Sequence, residues 1–421
     1  MSVLEPYSSY RPAPADWLGP IPAHWQARPQ WSMFRRVKDI EHPDEPMLSV
    51  FRDYGVVPKA SRPNLNVTAE NRDIYQLVDP GWLVTNRMKA WQGSVGVSTL
   101  RGIVSGHYIC FAPDHHEHAA YLNYLFRSVA YIDGYQLISR GVRVGQAEID
   151  NNLYRLLPVL VPPLAEQQAI AAYLDQETAQ IDALIGKQEQ LIETLRTRRA
   201  AVVDTAVLAS APTRVPLRRV ADAIDCAHVT AEFVDNDRRF PVASIRECGG
   251  ESVDLSNCNY TTAAFFELLR AAGRAPRDGD LLFTRNVSVG RVSAVAPGTV
   301  PFAVGQETVL LRRKPAVDPA FLRYALTSGE ARHTVEAAMM GSTFRRINVS
   351  AIRSLPVRVP TLREQRHIAA HLDEQTAKID AIIVKAERFI ELAKERRVAL
   401  IAAAVTGQID VRTTTSVGED A

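Results

Sequence analysis

Side chains that carry paired hydrogen-bond donors and acceptors gather at two places in each half of the chain. Asn86-Arg87-Met88-Lys89-Ala90-Trp91-Gln92-Gly93-Ser94 has its counterpart in Thr284-Arg285-Asn286-Val287-Ser288-Val289-Gly290-Arg291. Ser139-Arg140-Gly141-Val142-Arg143-Val144-Gly145-Gln146 has its counterpart in Gly341-Ser342-Thr343-Phe344-Arg345-Arg346. In a major groove, arginine matches the two acceptors of guanine and asparagine or glutamine matches the donor–acceptor pair of adenine. Neighbouring glycines let backbone approach a phosphate closely. The candidate base- and phosphate-contacting residues are therefore Asn86, Arg87, Lys89, Gln92, Arg140, Arg143 and Gln146 in the first half. In the second half they are Arg285, Asn286, Arg291, Thr343, Arg345 and Arg346. For any one of them a surface ion pair or plain solvation is an equal reading, so the claim attaches to the regions.

Other clusters fit chemistry less well. Asp114-His115-His116-Glu117-His118 has ligand-type side chains, but it stands alone and has no counterpart in the second half, so a solvated loop is the expected reading. Gly93-Ser94-Val95-Gly96-Val97-Ser98-Thr99 has the glycines of a phosphate loop without its lysine. Asp318-Pro319-Ala320-Phe321 lacks the second proline of a motif that holds a flipped base, and reads as a turn. Cys110, Cys226, Cys248 and Cys258 form no CxxC pair and are expected to be reduced, mostly buried thiols.

The elements that must position these regions are written twice. The stretch from Leu157 to Val207, which opens LPVLVPPLAEQQAIAAYLDQETAQID, returns without a gap from Leu355 to Val405, 198 residues later, with roughly half of the positions identical. Pro162-Pro163 and Pro360 cannot lie inside a helix, so an extended strand is expected to give way to helix near Leu164 and Leu362. A helix of about 42 residues would be ~63 Å long and could not hide an apolar face alone. The apolar residues suggest a heptad seam: Ile170, Leu174, Ile181, Leu184, Leu191 and Leu195 in the first copy, Ile368, Leu372, Ile379, Ile382 and Phe389 in the second, with Ile185, Ile192, Ile383 and Ile390 widening it. The nearest partner for each helix is its own repeat, antiparallel, in a coiled coil; core helices of one large domain are the plainer alternative.

Between and before these helices lie two divergent globular blocks. The expected order is a variable domain over residues 1–155, strand and helix over 156–211, a second variable domain over 212–353, strand and helix over 354–410, and a disordered tail over 411–421. Trp82-Leu83-Val84 and His107-Tyr108-Ile109-Cys110-Phe111 read as buried strands, and Tyr121-Leu122-Asn123-Tyr124-Leu125-Phe126 as helix. The opening, rich in proline and tryptophan, is expected to wrap irregularly over the surface until regular structure starts near Trp31. The 421 residues carry a net charge of only +2, with 46% hydrophobic and 23% charged residues, as in a globular protein. Residues 212–353 hold 19 basic against 15 acidic side chains, nearly all the basic ones arginine, which fits bidentate phosphate or guanine recognition as well as a compositional bias. There is no apolar run of about 18 residues and no secretory pattern, so a cytoplasmic location and no membrane contact are expected.

A doubled strand-to-helix phrase separating two unlike domains, together with the opening Trp17-Leu18-Gly19-Pro20-Ile21-Pro22-Ala23-His24-Trp25, resembles the DNA specificity subunit of type I restriction-modification systems over essentially the full length. The resemblance implies a mixed α/β (α+β) fold: two target recognition domains, two long antiparallel helices and an internal pseudo-twofold repeat. It implies that each domain reads one half of a bipartite site in double-stranded DNA while the helices fix the gap. It also implies that the chain is not itself an enzyme. Two methyltransferase subunits would bring S-adenosylmethionine, and restriction subunits would bring ATP and magnesium. The alternative of a different class is a diverged coiled-coil scaffold or decoy that binds proteins without reading DNA.

Overall fold

The computed structural model describes residues 5–62, 72–141, 147–225, 231–234, 239–339 and 346–412. Two compact units emerge: residues 1–188 with 388–421, and residues 189–387. Each is built on a four-stranded antiparallel sheet of the same order. In the first unit the order is Phe34–Val37, Tyr108–Pro113, Leu83–Asn86, Val95–Val97. In the second it is Ala221–Asp225, Thr308–Arg313, Leu281–Thr284, Val292–Ala294. Alternate residues of a strand point to opposite faces, and here both faces are covered, which is why the strands read as unbroken apolar runs. Leu83, Ile109 and Phe111 enter the main core of the first unit, while Val84 and Cys110 enter a smaller one with Leu48, Val50 and Val56. Leu281, Phe283 and Val309 against Leu282 and Leu310 repeat this in the second unit.

The long helices are Leu164–Ser210 and Leu362–Val405. Each follows a short strand, Pro158–Val161 or Pro356–Arg358, that pairs antiparallel with Gln26–Pro29 or Arg214–Pro216. Each unit contains the start of one long helix and the end of the other. Ile170, Ala171 and Leu174 share a core with Ala404 and Val405; Ala369 and Leu372 share one with Val203 and Val207. Ion pairs run in the antiparallel sense: Glu177 with Arg396 and Asp182 with Arg397 in the first unit, Arg196 with Glu387 and Arg199 with Asp380 in the second. Arginines 199, 396 and 397 thus tie helix to helix.

The seam departs from the heptad expectation. Ile170, Leu174, Ile181, Leu195, Leu372 and Ile379 are buried and Ile368 packs on the second core, but Leu184, Leu191, Ile382 and Phe389 are exposed. Ile185, Ile192, Ile383 and Ile390 are buried in their place. A straight helix drifts by about 20° per heptad, so a seven-residue stripe walks off the contact face, whereas eleven residues make three turns at about 3.67 residues each. The buried positions follow that longer period, as in Ile170, Ile181, Ile192 and Val203, or Leu174, Ile185 and Val207 with one gap.

The opening is also more ordered than its composition suggests. Tyr10–Pro12 pairs with Pro20–Pro22, Gln26–Pro29 joins the strand at Pro158–Val161, and Trp25 is 1% exposed, so structure begins well before Trp31. Its anchor is Glu166, buried near the start of the first long helix, which accepts hydrogen bonds from Tyr7 Oη (2.5 Å), Trp25 Nε1 (2.8 Å) and His24 Nε2 (2.9 Å). From the other end of the chain Arg412 lies 3.6 Å from the same carboxylate, and Val411 is buried. Both residues belong to the packed unit and not to the expected disordered tail, because the buried carboxylate draws the arginine in; the remainder of that tail lies outside the described residues. Gly407 ends the second long helix with φ +74°, and a Cβ there would sit 2.3 Å from Pro22 Cδ, so the turn requires glycine.

Candidate nucleic-acid interface

In each unit one glutamine joins head to helix. Gln167, fully buried, accepts the backbone N–H of His118 (2.9 Å) and donates to Pro162 O (2.8 Å) and Glu117 Oε2 (2.6 Å). Gln365 accepts from Asp318 N (2.8 Å) and donates to Pro360 O (2.8 Å). His118 and Asp318 are the N-caps of the head helices Ala119–Arg127 and Pro319–Thr327. One turn into those helices, Tyr124 and Tyr324 donate to Asp175 and Asp373 on the long helices, 2.7 Å each. In the 114–118 loop Asp114 and His116 are exposed, as expected of a solvated loop, while His115, Glu117 and His118 are half-buried. His115 stands edge-on to Phe34, burial pushes its imidazolium below the usual range, and Glu117 is engaged by Gln167. Among the described residues no group of three or more acids, histidines and cysteines is placed to hold a metal ion.

From this base the sheet projects the two polar regions of each unit to a common edge. The strand Leu83–Asn86 ends in a tight turn in which the Asn86 side chain accepts Met88 N–H (3.1 Å) and Gly93 takes φ +92°. A Cβ on Gly93 would meet Ile132 Cδ1 at 2.7 Å. This leaves Arg87, Lys89 and Gln92 exposed. The antiparallel pair Ser139–Arg140 and Glu148–Ile149 leans on the same turn, with Ile149 N donating to Arg87 O (3.1 Å), and from the helix Val129–Leu137 Gln136 Nε2 donates to Trp91 O (3.3 Å). The second unit repeats the joint 198 residues later: Ile347 N donates to Arg285 O (3.0 Å), and Asn286 bridges Arg346 across the backbone. Gly290 at φ +90° and Val287 at φ +55° close the turn, and Thr284 Oγ1 accepts Arg291 N–H (3.0 Å). In both units the first polar region therefore meets the described end of the second, Ser139–Arg140 with Glu148–Ile149 in one and Arg346–Ile347 in the other.

Individual side chains fare differently. Lys89, Gln92, Arg140, Arg291 and Arg346 are exposed, and none of the four cations in this group has a carboxylate partner among the described residues. Arg87 is half-exposed and ion-paired with Glu148. Arg285 is 6% exposed, with its guanidinium 2.6 Å from Asp225, so it braces the sheet edge instead of presenting itself outward. Asn286 donates to Glu307. Arg143, Gln146, Thr343 and Arg345 lie outside the described residues. The acids that occupy Arg87, Arg285 and Asn286 are not among the residues singled out from the sequence. The pairing of Arg140 with Glu148 brings Glu148 within reach of such a reading, while Asp225 and Glu307 come from strands or loops distant in sequence.

A family model described as the type I restriction modification DNA specificity domain matches residues 37–194 and 272–388, well over half of the chain. The chain belongs to that family. Each matched stretch of this specificity-domain chain runs from a head into the front of a long helix, so the family match carries the same duplication as the sheets. Among curated proteins it is similar to the type I restriction enzyme EcoKI specificity subunit of Escherichia coli (strain K12), 23% identical over 311 residues. That alignment covers 69% of this chain and 66% of the relative. The StySPI specificity subunit of Salmonella potsdam is 26% identical over 99 residues, 24% of this chain and 21% of that one. Among solved structures, a chain from a study of complex assembly and conformational transition of the type I R-M system has a TM-score of 0.69 at 15% identity, covering 92% of this chain and 99% of that one. The HsdS subunit from Thermoanaerobacter tengcongensis has a TM-score of 0.52 at 15% identity, covering 94% and 100%. These two likenesses establish the fold: mixed α/β heads on long paired helices. No described helix is long and apolar enough to cross a membrane.

Proposed function

We propose that this chain is the DNA-reading subunit of a type I restriction-modification complex, each head recognising one half of an asymmetric, bipartite site in double-stranded DNA. The observation that carries the reading is the repeated sheet edge, the same backbone joint at Arg87–Ile149 and at Arg285–Ile347, dressed with different exposed side chains. Lys89, Gln92 and Arg140 on one head and Arg291 and Arg346 on the other supply donors for phosphates and base edges, and their difference accounts for two unlike half-sites. The long helices act as a ruler and as the dock for two methyltransferase subunits. The chain contributes no catalysis; S-adenosylmethionine belongs to the methyltransferases, and ATP with magnesium to restriction subunits. The complex works in the cytoplasm, where its DNA is.

Half-sites on one face of B-DNA are about one turn, ~34 Å, apart, and 47 helical residues span ~70 Å. Deleting four residues from the middle of each long helix shortens the ruler by ~6 Å, or about two base-pair steps of ~3.4 Å. Methylation mapping of cells carrying the shortened chain and its methyltransferase is expected to return both half-site sequences with a changed gap. An unchanged gap would refute the ruler. The internal pairing of Arg87, Arg285 and Asn286 favours a second reading, a scaffold or decoy that no longer reads DNA. It is distinguished by selection from random-sequence duplexes with the cognate methyltransferase, since only a reader enriches a bipartite motif.

A further inference from the structure

The two units differ at one equivalent place beside the helix pair. In the second unit Glu251 lies 2.9 Å from Arg199 and 3.2 Å from Arg323, and Arg199 also holds Asp380 at 2.9 Å. Close by in sequence to Arg323, the helix Gly329–Met339 begins with Gly329 N–H donating to the Asp204 carboxylate at 2.6 Å. Two carboxylates thus neutralise the arginines and the helix start. The offset of 198 within the long helices places Ala402 where Asp204 stands and Arg397 where Arg199 stands, and the carboxylate that shares a cavity with Arg397 in the first unit is Asp53, as Glu251 stands beside Arg199 in the second. One carboxylate has become shorter by a methylene and the other is a methyl group.

What the first unit has at this place is a cavity of about 100 Å³ lined by Arg52, Arg127 and Arg397, with Ser128 and Val129 at the start of the helix Val129–Leu137. Arg127 has no carboxylate partner among the described residues. Its Nη2 donates to Arg52 O at 3.2 Å, and its buried Nε has no hydrogen bond. Arg397 Nε lies 3.1 Å from Asp182, close enough for an ion pair but out of line for a hydrogen bond, and it is buried without one. Asp53 also lines the cavity, 4.0 Å from Arg52, but is 79% exposed. Burial and the charge of Arg397 push the Arg127 guanidinium below its usual range; Asp182 pairs with Arg397 and Asp53 stands near Arg52, but no carboxylate among the described residues lies within ion-pair distance of Arg127. Buried guanidinium nitrogens without a hydrogen bond, such as Arg127 Nε and Arg397 Nε, call for a strong acceptor, and guanidinium forks with a helix start are the geometry that oxyanions favour.

We propose that this cavity in the first unit binds a small oxyanion of phosphate or carboxylate type, supplied from outside the chain, in the role that Glu251 and Asp204 fill in the second. The site is independent of DNA reading. Because all five tryptophans (17, 25, 31, 82 and 91) lie in the first unit, its thermal unfolding can be followed by intrinsic fluorescence. Titration with inorganic phosphate against sodium chloride at matched ionic strength is expected to raise the first unit's midpoint saturably, with acetate as the carboxylate arm. Arg397→Gln is expected to weaken that response by about tenfold or more, the value of one charge-assisted hydrogen bond. Asp53→Glu, at an exposed position, restores the longer carboxylate of the second unit. It should raise the midpoint without phosphate and abolish the phosphate response, and Ala402→Asp should act in the same direction. The proposal is overturned if phosphate and acetate act no differently from chloride, or if Asp53→Glu and Arg397→Gln both titrate like the parent chain.

Discussion

Replacing Glu166 by glutamine tests how the two ends of the chain are held. The carboxylate is 3% exposed and takes three donors, from Tyr7, Trp25 and His24, with Arg412 beside it. Glutamine keeps the volume and one acceptor oxygen but turns an NH₂ group toward the remaining donors. Hydrogen bonds to a charged acceptor contribute about 1.5–3 kcal/mol each, and breaking a buried charged network by removing one member costs about 3–5 kcal/mol. For a unit of this size each kcal/mol moves the midpoint by about 2–4 °C, so a fall on the order of 10 °C is expected. Multidomain chains do not unfold in one step, so tryptophan fluorescence, which reports the first unit alone, is the right assay. Hydrogen exchange should localise the loosening to residues 5–25 and 407–412. The aligned residue in the second copy, Glu364, is exposed and forms a capping box, accepting from Thr361 N (2.8 Å) and Thr361 Oγ1 (2.7 Å). Thr361→Ala there should cost only about 1 kcal/mol. A tryptophan-detected midpoint for Glu166→Gln within about 2 °C of the parent, the shift expected of a single kcal/mol, would refute the reasoning.

Acidification, alkylation and DNA titration probe other parts of the molecule. Arg412 donates to Asp410 and holds its carboxyl below the usual range. Because the folded value is depressed, this pair's contribution is complete above the unfolded value of ~3.9 and is lost as pH falls through the folded one, so amide protection factors at residues 407–412, taken relative to the intrinsic exchange rate at each pH, should fall on acidification below about pH 4. Burial pushes the Cys110 and Cys248 thiols up to about 12, so neither should react with iodoacetamide at about pH 8 until the chain unfolds, whereas half-buried Cys258 should be alkylated in the native state; mass spectrometry of the peptides decides. Arg291→Ala and Arg346→Ala should weaken recognition at one half-site only, and each phosphate left unneutralised should reduce the slope of log K against log salt by about 0.9. Equal weakening at both half-sites would contradict the assignment of one head to each.

The doubled phrase, its prolines and the two-sided apolar strands were legible in the sequence because they depend on short-range rules: proline has no N–H to give a helix, and a strand buried on both faces must be apolar throughout. Helix starts at Leu164 and Leu362 and the strands at Leu83–Asn86 and Leu281–Thr284 belong to this class. What only the tertiary structure decided is which of two identical letters is buried. Glu166 and Glu364 occupy the same position in the repeat, yet one anchors both chain ends and the other caps its own helix, because only the first has Tyr7, Trp25 and Arg412 brought to it from far away in sequence. Arg87 and Arg285 are likewise the same letter at the same offset, one half-exposed and one fixed on Asp225. The shift of the seam from Leu184 to Ile185 and from Ile382 to Ile383 has a similar cause. Both residues of each pair are apolar, and the choice falls to the accumulated rotation of a long helix against the partner that covers it.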